Sequence, residues 1–445
     1  LHKQTALHKK VGFKITELIK DVLQINFNTI SIKQKRCIMH KLIKIIVCVF
    51  FLSFLYPNTL MAQMFTKIST GPISEILGNS QGSSWADYDN DGLLDVLITN
   101  TSFYGENKPN LLYHNEGAGN FVLVDTGAIY NDIISASCSS SWGDYDNDGN
   151  PDLFVGVADQ SINHLYHNEG NGNFKLITSE LQGDATSDAS WIDYDNDGYL
   201  DIYLTSQVNN KNILYHNNGL GGFTKVDTGI IVSDTDCAIS LSWADFDNDG
   251  DLDLFASNFD FNSTSAINRL YINHGNGYFT SMSSDAVILK DAANTTGASW
   301  GDYDNDGNLD LYVVNNQSAN ELFHNNGDGT FEKIIIDPPE AAAAFSVGST
   351  WGDFDNDGDL DLFTTNDRGF PGDPTPSFRD NLLFINNGNG QFTRITTGDI
   401  ITDGGHSCTA ADYDNDGDLD ILIVNGSLGA PYVNYLYLNN GNSNN

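Results

Sequence analysis

The chain has 445 residues, with 59 Asp+Glu against 21 Lys+Arg, so its formal net charge is −38 although 18% of its residues are charged. That balance excludes a conventional nucleic-acid binder, which needs a basic surface to displace counterions from phosphate. A hydrophobic fraction of 40%, 11% aromatic residues and 42 glycines exclude a disordered acidic chain and describe a folded, turn-rich one.

The beginning of the chain is basic: residues 1–63 hold 10 of the Lys+Arg, and their acids are Glu17 and Asp21. Met39 is followed by Lys41 and Lys44, by an apolar run over 45–52 that continues to Tyr56, and by Pro57 and a small-residue site at Leu60, Met61 and Ala62. A short cationic region, about a dozen apolar residues and a cleavage site describe a secretory signal peptide. The expected division is 1–38 as an upstream segment outside the expressed protein, 39–62 as the signal peptide and 63–445 as the mature domain. That domain is expected to be secreted or held at the cell surface, with no membrane span after cleavage. Cys138, Cys237 and Cys408 are then an odd set without paired spacing, so buried free thiols are expected rather than a disulfide framework.

From residue 87 the chain repeats itself. DYDNDGLLD over 87–95 recurs from Asp144, Asp193, Asp245, Asp302, Asp353 and Asp412, at spacings of 57, 49, 52, 57, 51 and 59 residues. A tryptophan stands two positions before each copy (Trp85, Trp142, Trp191, Trp243, Trp300, Trp351), except the last, which has Ala410. After each acidic loop comes a β-branched and aromatic run such as 311–314, which reads as a strand. A second strand then leads into an Asn/Gly turn, as in LYHNEGAGNF ending at Phe121 and LFHNNGDGTF ending at Phe331. Asn and Gly between two apolar runs make a hairpin, because both tolerate positive φ.

Each unit is thus four antiparallel strands, and seven units predict an all-β, seven-bladed propeller. The seventh hairpin, at Leu438, Asn439 and Gly441, lacks its following strand, whereas Phe65, Thr66, Lys67 and Ile68 match that strand elsewhere. The N-terminal strand is therefore expected to complete the last blade and close the ring.

In DxDxDGxxD, positions 1, 3, 5 and 9 are Asp in all seven copies and position 6 is Gly, while position 7 varies. A position that keeps its place but not its side chain suits a backbone carbonyl ligand. Oxygen donors at alternating positions around a sharp turn are the set for Ca²⁺, whereas Zn²⁺ would draw on His or Cys. The candidate metal residues are Asp87, Asp89, Asp91, Leu93 and Asp95; Asp144, Asp146, Asp148, Asn150 and Asp152; Asp193, Asp195, Asp197, Tyr199 and Asp201; and Asp245, Asp247, Asp249, Asp251 and Asp253. Their counterparts are Asp302, Asp304, Asp306, Asn308 and Asp310; Asp353, Asp355, Asp357, Asp359 and Asp361; and Asp412, Asp414, Asp416, Asp418 and Asp420, giving up to seven Ca²⁺ sites. An EF-hand would need Glu at position 12, where the first loop has Ile98, and helices on both sides. The Asn at position 4 reads as turn geometry and the Tyr or Phe at position 2 as packing between blades. His114, His167, His216 and His324 are replaced at the same place by Ile272, Ile385 and Leu438, and so read as structural.

These loops resemble the FG-GAP/VCBS repeat family and are similar to the calcium loops in the propeller of integrin α subunits. The resemblance runs from Phe65 to Asn442 and implies the propeller and its metal. For function it implies a range that includes adhesins, lectins, components of polysaccharide-handling systems and a few enzymes.

From the first Asp of each loop to the hairpin Asn the distance is 28, 24, 24, 28, 23, 33 or 27 residues, whereas hairpin Asn to Phe is always 6. Length variation therefore sits in the connection between the second and third strands, opposite the acidic loops. Variable loops on a rigid scaffold are where binding resides. The candidates there are Tyr104, Phe259, Phe261, Arg368, Phe370, Phe378, Arg379 and Tyr432. The favoured function is a calcium-binding recognition or adhesion module for a glycan or an extracellular protein. The alternatives are a propeller-based polysaccharide lyase or dehydratase and a passive spacer. No catalytic residue is assigned, because acids that recur in every repeat point to repeat structure, while catalysis needs one asymmetric constellation.

Overall fold

The computed structural model describes residues 64–441 except 102–107, 135, 160–161, 178–180, 182–184, 207–210, 236, 261–265, 284–285, 291–292, 337–344, 368–379, 389 and 428–429. The expected segment boundaries before residue 63 lie outside these residues. The predicted propeller forms as seven four-stranded antiparallel sheets. Blade 1 consists of Ser80–Ala86, Asp95–Asn100, Leu111–Asn115 and Phe121–Leu123, and blades 2 to 6 repeat it through Phe392–Ile395. Blade 7 takes Ser407–Ala411, Asp420–Val424 and Tyr435–Asn439 from one end of the chain and Phe65–Ile68 from the other.

That last strand closes the ring in the register Phe65↔Asn439, Thr66↔Leu438, Lys67↔Tyr437 and Ile68↔Leu436. Phe65 also fills the place that hairpin phenylalanines fill elsewhere. It meets Phe354 of blade 6 at 5.8 Å, as Phe121 meets Tyr413 at 5.5 Å and Phe392 meets Tyr303 at 5.6 Å. A second stitch joins blades 7 and 1, with Gly78 and Tyr432 each donating its N–H to the other's carbonyl at 2.9 Å.

The hydrophobic core lies between blades. Second strands such as Asp95–Asn100 and Asp361–Asn366 are buried throughout, because a neighbouring blade covers each face. Val96, Ile98 and Tyr113 of blade 1 pack with Tyr413, Leu422 and Leu436 of blade 7. The first strands are innermost and touch their neighbours around the axis. Their Ser, Thr and Gly residues permit that approach: a Cβ on Gly82 would sit 3.2 Å from the Cys138 carbonyl.

The tryptophans are wedges between blades. Trp85, Trp142, Trp191, Trp300 and Trp351 stack on Tyr413, Tyr88, Tyr145, Phe246 and Tyr303 of the preceding blade with interplanar angles of 3–14°. The aromatic at loop position 2 thus packs between blades, as its hydrophobic character suggested.

Short helical turns at Pro72–Glu75, Gly127–Asn131, Ile230–Ser233, Val287–Lys290 and Asp399–Thr402 precede five of the first strands, and the strand-by-strand reading of the sequence had no place for them. Each plugs at least one isoleucine into the core, as Ile73, Ile129 and the pair Ile400 and Ile401 show. Among the described residues Cys138, Cys237 and Cys408 are free thiols, Cys408 buried and the other two half-buried.

Candidate functional site

The acidic loop is built from its own backbone. Position 4 is left-handed in every copy, with φ of 58–60° at Asn90 and its six counterparts, and the Gly at position 6 has φ of 90–96°. Asn tolerates the first conformation and Gly the second. The turn aims N–H groups inward: Asp87 Oδ1 accepts from Asp91 at 2.9 Å, its Oδ2 from Gly92 at 2.8 Å, and Asp91 Oδ1 from Leu93 at 2.9 Å. The same three bonds recur in the other loops, for instance at Asp302 and Asp306.

Position 9 anchors the loop to the blade. Asp95 is buried, and its Oδ1 accepts the Asn115 N–H at 2.8 Å while its Oδ2 accepts the Tyr88 N–H at 3.2 Å. Asn115 in turn donates Nδ2 to the Leu94 carbonyl at 3.0 Å and to the Tyr413 carbonyl of blade 7 at 2.7 Å. One hairpin asparagine thereby ties loop, hairpin and neighbouring blade together, and all seven blades have it, as at Asn325 and Asn439. Burial pushes the position 9 carboxyl up, to about 6 at Asp95, about 7 at Asp310 and about 8 at Asp420. The hairpin N–H opposes that shift, while the carboxylate at position 3 adds to it.

Position 3 tests whether these residues fit a cation. Asp89, Asp146, Asp195, Asp304 and Asp414 each hold a buried Oδ1 with no hydrogen-bond partner. Burial and the adjacent position 5 carboxylate raise the pKa of each, so the loop holds these charges against a penalty. Ligand oxygens of Asp87, Asp89 and Asp95 lie within 4.8 Å of one another. A buried carboxylate oxygen without a donor is costly unless a cation faces it, and the hard oxygen set suits one.

The four histidines, whose exchange with Ile and Leu implies a structural role, are carried by the fold to the loop. Nδ1 of His114, His167 and His324 lies 3.1 Å from the position 9 carboxylate of its own blade, and that of His216 lies 3.2 Å away. The position 3 Oδ2 is 3.3–3.5 Å from the same nitrogens. Blade-by-blade exchange with Ile and Leu shows that the position tolerates an apolar group, and does not show what an imidazole there would contact.

The position 4 asparagines do more than turn the chain. Each donates Nδ2 to the loop of the next blade: Asn90 to the Gly149 carbonyl at 3.2 Å, Asn147 to Gly198 at 3.2 Å, and Asn415 across the closure to Gly92 at 3.3 Å. Where position 7 is polar its side chain accepts as well, at Asn150, Asp251, Asn308, Asp359 and Asp418. Position 7 therefore has a side-chain role in five loops, in addition to the backbone role expected of it.

The opposite face carries the connections. Six of them are pinned at the base by a buried asparagine before the third strand, whose Oδ1 accepts an N–H from the end of the second: Asn110 from Asn100, Asn320 from Asn315 and Asn381 from Asn366, at 2.9–3.0 Å. The same clamp spans separations from 5 residues in blade 5 to 15 in blade 6. Its signal in the sequence is an Asn two residues ahead of the Leu-Tyr or Leu-Phe pair of each third strand. Of the candidate ligand residues, Phe259 lines a cavity of about 690 Å³ on the axis. Tyr432 uses its backbone in the closing bridge. Tyr104, Phe261, Arg368, Phe370, Phe378 and Arg379 lie outside the described residues. Among the described residues no helix is long and apolar enough to cross a membrane.

Fold and loops together define a seven-bladed β-propeller with one acidic turn per blade. The FG-GAP-like repeat matches residues 87–155, 144–204, 193–256, 258–313, 302–364 and 374–423, more than half of the chain, and the protein belongs to that family. No curated protein is significantly similar to the chain. Among solved structures it is similar to an Agrocybe aegerita lectin described as recognising non-reducing terminal N-acetylglucosamine, with 18% identity, TM-score 0.50, and coverage of 72% of this chain and 81% of that one. It is also similar to the BP39L lectin of Burkholderia pseudomallei, with 11% identity, TM-score 0.55, and 82% and 98% coverage. YCF48 bound to a D1 peptide has 7% identity, TM-score 0.50, and 84% and 96% coverage. At these identities the likeness is one of fold.

Proposed function

We propose that the protein is a calcium-stabilised recognition propeller, secreted or displayed at the cell surface, which binds a glycan or an extracellular protein on its connection face. The observation that carries this reading is the contrast between faces: the seven acidic turns share their backbone bonds, while one asparagine clamp spans separations of 5 to 15 residues. A scaffold that fixes loop bases and frees loop lengths suits recognition. The lectin function of two propellers of this shape is compatible with it, and the signal-like segment at 39–62 supports export.

In each loop the carboxylates at positions 1, 3, 5 and 9 and the carbonyl at position 7 would hold the ion. Bound calcium supplies the positive charge that the buried position 3 oxygens lack. It acts on the fold and leaves ligand contact to the other face. A glycan array and an extracellular-protein capture screen, run beside a turnover assay on polysaccharides, test the function. Specific binding without product is expected; product formation would replace this reading with an enzymatic one, and silence in all three would leave a spacer.

A further inference from the structure

The axial cavity is lined by residues of all seven blades and opens on the connection face, since its walls include the starts of first strands and the ends of second strands. Its volume of about 690 Å³ lies within the range of about 300–1,000 Å³ usual for small-ligand sites. Seven alike blades would make a symmetric throat, but this one is not symmetric. Three residues before the tryptophan position, six blades carry Gly or Ser, and blade 3 carries Asp188. Its carboxylate is held by the Ala189 N–H at 2.8 Å and, from blade 4, by the Leu241 N–H at 2.9 Å. Across the cavity wall, in blades 6 and 7, His406 Nδ1 lies 3.4 Å from Asp367 Oδ2.

The remaining chemistry is hydroxyl and aromatic. Ser83, Ser140, Ser240 and Ser349 line the walls, with the rings of Phe259 and Phe345 among the lining residues of blades 4 and 6. Among the described residues no lysine or arginine lines it. We propose that this cavity binds the terminal ring of a neutral sugar, an inference that rests on the recognition reading above and locates its ligand. Serine hydroxyls donate to and accept from a polyol, fixed carboxylates accept from it, aromatic rings cover its apolar face, and the two carboxylates repel uronates and sulfated sugars. The location is the axis rather than the longest connection, with Phe259 the one sequence candidate among the described residues that lines it.

The test is calorimetric titration with methyl glycosides of neutral hexoses and N-acetylhexosamines, with glucuronate as the anionic counterpart. Val347 lines the cavity, and Val347→Trp should block it, weakening neutral-sugar binding at least about a hundredfold with the melting temperature kept. Phe259→Ala should weaken binding about tenfold. If Val347→Trp does not fold, Gln81→Phe obstructs the same space from blade 1. Unchanged neutral-sugar affinity in a folded, blocked variant overturns the axial site and leaves the recognition reading standing. So does a wild type that binds glucuronate or a protein but no neutral sugar. A wild type that binds no glycan and no protein ends both.

Discussion

The two faces of the ring obey opposite rules. On the acidic face every blade repeats one turn, with left-handed Asn at position 4, Gly at position 6 and a buried position 9 carboxylate clasped by a hairpin asparagine. On the connection face an asparagine clamp recurs in six blades, but the separation it spans ranges from 5 to 15 residues. Stability is thus concentrated where the sequence repeats, and individuality where it does not. The axial throat belongs to the second kind, since Asp188 and the His406–Asp367 pair occur once each around it.

Substitutions on the acidic face should cost stability and spare binding, and those on the connection face should do the reverse. The largest effect is expected at Asn325, whose Nδ2 serves the buried Phe246 carbonyl and the half-buried Leu309 carbonyl at 2.7 and 3.1 Å. Asn325→Ala strands both groups and should cost about 2–5 kcal/mol, read by denaturant unfolding.

Asp304→Ala separates fold from metal. With calcium at a hundredfold excess over its Kd, loss of one site should cost about 2.7 kcal/mol. In chelator the sign should turn, because the variant removes a carboxylate whose buried Oδ1 has no partner. A loss of stability equal in both conditions would contradict a metal role for that residue.

Acid sharpens the same distinction. The position 9 carboxyls are raised to about 6 at Asp95 and about 8 at Asp420, above the unfolded value of 3.8. A raised carboxylate binds its proton more tightly in the folded state, so its contribution is full below pH 3.8 and is lost as pH rises through the folded value. The metal-free protein should therefore gain stability from these groups between pH 8 and pH 5, whereas the calcium-loaded protein should lose it as protons displace the ion. Parallel melting profiles in chelator and in calcium would show no such crossing if the loops hold no metal.

Smaller effects are expected at the periphery. Asn356→Ala forces a φ of 58° on a residue with a poor fit and removes the bond to Asp418 of blade 7, costing about 1–2 kcal/mol. Shortening the blade 6 connection between Asn366 and Asn381 to the five-residue separation of blade 5 should change stability by no more than about 1 kcal/mol. Any change in ligand preference from that deletion would place recognition on the long connection rather than on the axis.

The fold was legible because each blade repeats a short alphabet of Trp, acidic turn and Asn/Gly hairpin, and because Phe65 to Ile68 matches the strand missing after Asn439. The acidic turns were legible for the same reason. What escaped were particular contacts. The reach of Asn90 into the next loop and the choice of Tyr88 as the partner on which Trp142 stacks join different copies, while the approach of His114 to Asp95 joins two strands of one blade. The throat escaped too, because one Asp among six small residues is a deviation at a position without a motif.

The most direct measurement of the central claim is a calcium titration of chelator-stripped protein followed by melting temperature and by bound metal per chain. The melting temperature should climb with calcium, with the ion retained at up to seven equivalents, one for each of the loops beginning at Asp87, Asp144, Asp193, Asp245, Asp302, Asp353 and Asp412. An unchanged melting curve with no retained calcium would contradict it.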